Sequence, residues 1–199
     1  MEDEQRQSVC ISRRRITWGC FNKSEAMKFS TVVYQQMIED CKVIAIEFKM
    51  SVALKREGLD PLNNEDDIDN MEVSEDSRNN LFEKFKVVMG LNCKLDFFRD
   101  NDEEYGRYSE HNNAVYLPYC IGLYKENAIV EHMAHELYHA FQYAAICSPE
   151  SYPCFDSETI KQWEYEFHNY ESGANDIRQY LGQEIEKTAR EFGKLIRGA

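Results

Sequence analysis

The chain has 199 residues, 43% of them hydrophobic and 13% aromatic, and a formal net charge of −13. That length and apolar content suit a folded domain with a buried core and exclude global disorder. The acidic balance repels phosphate backbones, and Arg13-Arg14-Arg15 is too short to offset it, so nucleic acid is not an expected partner.

No apolar run approaches the roughly 20 residues of a membrane span, and Met-Glu-Asp-Glu-Gln-Arg lacks the apolar core of a secretory signal. The expected location is the cytoplasm. Seven cysteines include no C-x-x-C pair, so reduced thiols are expected, with Cys147 and Cys154 able to bridge only in an oxidising setting.

Residues 1–22 show no sustained period. From Ser24, the residues Ala26, Phe29, Val33, Met37, Cys41, Ile44, Phe48 and Val52 recur at three and four, which predicts a long packing helix ending before Gly58 and Pro61. Nine acidic residues and no basic one lie between Glu57 and Asp76, a solvated linker without the glycine and closing Glu of an EF-hand. The expected division is an N-terminal appendage, residues 1–76, and a body, residues 77–199.

The body is predicted to open with a helix over 77–89, with Gly90 just past its end. Strand-like runs follow at 94–99, 104–110 and 114–117, separated by polar turns and stopped by Pro118. Read in order they form an antiparallel meander. A helix from near Lys125 to Cys147 comes next, then a helix over 157–181 and a last one after Gly182. The expected fold is α+β: a small antiparallel sheet on two helices, with the helical appendage in front.

The chemistry is concentrated in His135-Glu136-Leu137-Tyr138-His139. Histidines four apart lie one above the other on a helix and can share one metal ion, and two imidazoles suit Zn²⁺. Glu136, on the adjoining strip, is then placed as general base for a water that the metal acidifies. A catalytic zinc needs a third protein ligand from a helix packed beside the motif. The 157–181 helix offers Glu164, Glu166, His168, Glu171 and Asp176. Glu171 is the candidate, because Ser172, Gly173 and Ala174 after it allow close helix approach, whereas Glu164 and Glu166 read as solvated.

Ala134-His135-Glu136-x-x-His139 followed by Glu171-x-x-Ala174-Asn175-Asp176 resembles the gluzincin branch of the zincin metallopeptidases, in particular its minimal bacterial and mobile-element types. The resemblance spans about residues 77–182. It implies zinc held by His135, His139 and Glu171, with Glu136 as general base, in a zincin-like fold. It also implies a peptide or protein substrate paired with the edge strand Asn113–Leu117. Three features depart from the pattern: the first 75 residues, the Pro- and Cys-containing loop between His139 and Glu171, and His132.

His132 reads as an alternative ligand, a contact to ligand or substrate, or a plain hydrogen-bonded helix residue. His168 and a tyrosine such as Tyr165 are candidates to stabilise an oxyanion. Asp176 either orients a ligand imidazole or is exposed, and His111 reads as an exposed turn residue. A different class of function stays open beside the zinc-dependent peptidase: a catalytically inactive zincin-fold module that binds zinc and a protein partner. A third reading makes the histidines core residues of a helical protein, which burial of two His and a Glu on one face disfavours.

Overall fold

The computed structural model describes residues 23–57, 72–99, 106–172 and 176–199. The arm before residue 23 and most of the acidic linker lie outside these residues. The fold is α+β.

Helix α1 (Lys23–Glu57) buries Met37, Ile38, Cys41, Ala45, Phe48 and Val52, one stripe at the helical period. Val33, expected on that stripe, is exposed, and Tyr34 packs on the core instead. The stripe joins the same hydrophobic cluster as the later helices, so α1 is part of the main core rather than an appendage to it.

Helix α2 (Glu75–Val88) starts at Ser74, whose side chain accepts from the Ser77 N–H, and buries Leu81, Phe82 and Phe85. Gly90 follows with φ +67, the left-handed residue that closes a helix C-terminus.

Strands β1 (Lys94–Phe98), β2 (Arg107–Ser109) and β3 (Ala114–Pro118) form a three-stranded sheet in the order β1-β3-β2. Strand β3 pairs parallel with β1, Lys94 opposite Ala114, and antiparallel with β2, Tyr108 opposite Val115. The sheet is therefore mixed, not an antiparallel meander. The strand expected at its edge, residues 113–117, lies at its centre. The burial of Ala114, Val115, Leu117 and Pro118 fits that place: a central strand is covered on both faces. The edge beside the motif helix belongs to β2.

A 3-10 turn (Tyr119–Leu123) leads into α3 (Glu126–Cys147). Ile129, Val130, Met133, Ala134, Leu137, Tyr138, Phe141 and Ala145 are all buried, so α3 is apolar around much of its circumference and runs through the core. It packs against α4 (Ser157–His168), and α5 (Ile177–Gly182) packs on α6 (Glu184–Arg197), which lies against α3.

Helix α4 is capped by Asp156, and it ends at Asn169, well short of residue 181. Tyr170, Ile177 and Leu181, which continue its apolar spacing in the sequence, are exposed.

Among the described residues the most extensively packed helix pair is α3 with α6. Gly193 explains it: a Cβ there would stand 2.8 Å from the Glu131 carbonyl oxygen of α3 and 3.5 Å from His135 Cβ. Ala189, one turn earlier and fully buried, leaves the same kind of clearance. Arg197 then ties the far end of α6 to Glu131 at 2.8 Å. Among the described residues, no helix is long and apolar enough to cross a membrane.

Candidate metal centre

The two motif histidines meet where the helical spacing puts them. His135 Nε2 and His139 Nε2 are 3.1 Å apart, with ligand-capable atoms of Glu136 inside the same 4.8 Å group. Helix α6 supplies a further carboxylate. Glu186, only 1% exposed, has Oε1 3.4 Å from His139 Nε2 and Oε2 3.5 Å from His135 Nε2. These are long for hydrogen bonds. They resemble the edge of a tetrahedron whose centre lies 2.0–2.1 Å from each corner, about 3.3 Å.

Glu186 Oε2 is buried without a hydrogen-bond partner, and its nearest cation, Arg190 Nη1, stands 3.6 Å away. Oε1 accepts from the Tyr170 hydroxyl at 2.7 Å. A buried carboxylate whose two oxygens each face one motif imidazole is a donor set that fits a divalent cation.

Burial alone would raise the Glu186 carboxyl, and the neighbouring imidazoles of His135 and His139 more than offset it, leaving it well below the usual range. Burial likewise pulls His139 down, and Glu186 beside it pushes it further up. Glu136 shows the opposite balance: burial holds its carboxyl above the usual range, opposed in part by the two imidazoles.

Glu136 Oε1 is 3.9 Å from His135 Nε2, outside the spacing of the other three groups, and the Tyr108 backbone N–H of β2 donates to its carboxylate. Gly106 makes room for it: a Cβ at 106 would sit 2.9 Å from Glu136 Cγ and 2.8 Å from Leu117 Cδ2.

Glu171 lies in the segment after α4, exposed. Its backbone is bracketed by Gln183, which accepts from the Glu171 N–H at 3.1 Å and donates to the Glu171 carbonyl at 2.9 Å. The bracket sets Tyr170 against Glu186. The carboxylate that reaches both imidazoles is Glu186, fifteen residues further on. The sequence signal for it is an acidic residue beside the apolar stripe Ile185, Ala189, Phe192, Ile196 of the most amphipathic helix.

Glu166, read as solvated, is buried and works across helices. Its Oε1 accepts from the Glu184 N–H at 3.1 Å and its Oε2 from the Ile185 N–H at 2.8 Å, so it caps the start of α6 from α4. That fixes the turn carrying Glu186. Glu164 is exposed, as expected.

The remaining candidates fall away from the two imidazoles or take structural parts. His168 is exposed and its Nδ1 donates to the Glu164 carbonyl at 2.7 Å. Tyr165 is exposed, and Asp176 caps α5 by accepting from the Arg178 and Gln179 N–H groups. His132 is half-buried with its ring 5.8 Å from that of Tyr124, and burial lowers its pKa. His111 is exposed in the β2–β3 turn.

No described cysteine is in a disulfide, and Cys120 and Cys147 are exposed. No known protein family, curated protein or solved structure matches this chain.

Proposed function

We propose that the chain is a zinc-dependent metallopeptidase of zincin-like, gluzincin type, with His135, His139 and Glu186 as metal ligands and Glu136 as general base. The observation that carries this reading is the buried Glu186 carboxylate set against both motif imidazoles, one oxygen left without a partner. A zinc ion in that place supplies a Lewis acid that polarises a peptide carbonyl and acidifies water.

Glu136, outside the ligand spacing and steadied by the Tyr108 N–H, takes the proton of the attacking water and delivers it to the departing amine. The substrate is an extended peptide. It lies along the outer side of β2, the strand that borders Glu136, rather than along the central β3.

The test is zinc per chain by elemental mass spectrometry on untagged protein, with His139→Ala, Glu186→Gln, Glu171→Gln and Glu136→Gln beside wild type. About one zinc in wild type, Glu171→Gln and Glu136→Gln, with loss in the other two, supports the ligand set. Glu136→Gln should also lack all hydrolysis of a peptide library that wild type cleaves. Zinc lost in Glu171→Gln but kept in Glu186→Gln would return the third ligand to residue 171. Zinc bound without any hydrolysis by wild type would leave a binding module in place of an enzyme.

A further inference from the structure

Resting on that metal site, we infer that Gln142 is a positioning residue. Its amide fixes which nitrogen of His139 is left free for a cation and ties that choice to the seating of α6.

Gln142 is fully buried, so its amide needs partners on both ends. Its Nε2 lies 3.0 Å from the Ile185 carbonyl oxygen and 2.8 Å from Thr188 Oγ1. The carbonyl only accepts. The Thr188 hydroxyl has its own acceptor, the Glu184 carbonyl at 2.8 Å, which leaves its lone pairs toward Gln142. The NH₂ group therefore faces α6, and the reversed amide would set oxygen against oxygen at Ile185.

With that orientation settled, Gln142 Oε1 faces His139 Nδ1 at 2.9 Å. An amide oxygen only accepts, so Nδ1 carries the hydrogen. The lone pair of the neutral ring is then on Nε2, the atom 3.1 Å from His135 Nε2 and 3.4 Å from Glu186 Oε1. The same side chain thus aims one ligand and holds the residues on either side of another, since Ile185 and Thr188 flank Glu186.

The experiment reads the ring nitrogens of His139 by ¹⁵N NMR in metal-free protein, above the pH at which the ring is charged. Zinc titrations against a competing chelator and thermal melts accompany it. Wild type is expected to show the Nδ1–H form. Gln142→Met, of similar shape and without the amide, is expected to shift His139 toward the Nε2–H form and to weaken zinc binding by about 10- to 100-fold. Gln142→Glu keeps an acceptor for Nδ1–H, and should keep the wild-type tautomer and bind zinc more tightly than Gln142→Met. It has lost the donors to Ile185 and Thr188, so its melting temperature falls.

An Nε2–H tautomer in wild type overturns the inference without recourse to any variant. So does a folded Gln142→Met that binds zinc as tightly as wild type. Wild type that binds no zinc, yet shows the Nδ1–H form lost in Gln142→Met, overturns the metal reading and keeps the tautomer assignment.

Discussion

Gly193→Ala tests whether the close approach of α3 and α6 builds the site. The added methyl would stand 2.8 Å from the Glu131 carbonyl oxygen, against roughly 3.3–3.6 Å for an ordinary C···O contact, so α6 has to retreat by roughly half an ångström. The obstacle is helix backbone, which cannot swing aside like a side chain. Overpacking of this kind costs about 1–3 kcal/mol, and the better helix propensity of Ala returns about 1. The expected net is about 1 kcal/mol of destabilisation, or about 2–4 °C in the melting temperature of a chain this size.

Glu186 lies seven residues before Gly193 on α6, about 10 Å along the axis, so the retreat widens the 3.4 and 3.5 Å spacings to the imidazoles. Zinc affinity should fall about tenfold. Melts of metal-free protein and chelator-competed zinc titrations give the two numbers. Gly182→Ala, where nothing lies within 4 Å of the added carbon, is the control. A Gly193→Ala protein that melts higher than wild type and binds zinc equally would refute the close-approach argument.

Glu166→Gln replaces an oxygen that accepts at the start of α6, and should cost about 1–3 kcal/mol in urea denaturation, against less than about 0.5 for the exposed Glu164→Gln. Equal effects at the two positions would contradict the capping role. Burial pushes the Cys41 thiol up to about 12 and the Cys93 thiol up to about 11, so both stay protonated through pH 9. Among the described cysteines, iodoacetamide at pH 8 should modify the exposed Cys120 and Cys147 first, with Cys41 and Cys93 labelled only after unfolding, as peptide mapping would show.

The motif helix was legible because its signal is local: five residues carry the metal pattern, and the apolar positions around them mark a helix from near Lys125 to Cys147. The partner carboxylate was not. Small residues at 172–174 pointed to a close crossing there; Gly173 and Ala174 lie outside the described residues, and the clearance beside the motif helix is at Ala189 and Gly193. Apolar spacing also ran through Asn169 without showing that the helix stops, since Tyr170, Ile177 and Leu181 keep the period while exposed.

Strand order followed the same pattern. Turn residues mark where each strand ends but say nothing of which strand it joins, and the parallel pairing of β1 with β3 is a long-range choice. The continuous apolar run at 114–118 was the available hint of a central strand. Glu166 had its hint too: it shares the inner stripe of α4 with Ile160 and Trp163, six and three residues before it.

The bare backbone at Gly106 makes two positions mutually exclusive. A side chain at 106 and the present rotamer of Glu136 cannot occupy the same space, since an added Cβ would stand 2.9 Å from Glu136 Cγ and 3.0 Å from its Oε1. Under the proposed function, a library at position 106 selected for zinc retention should accept small residues when Glu136 is shortened to Asp, with Leu117 Cδ2, 2.8 Å from an added Cβ, limiting their size. Selecting the same library for peptide turnover should return glycine. Under the proposed function, the difference between the two outcomes at that single position measures how strictly Glu136 must be held for turnover, apart from zinc binding.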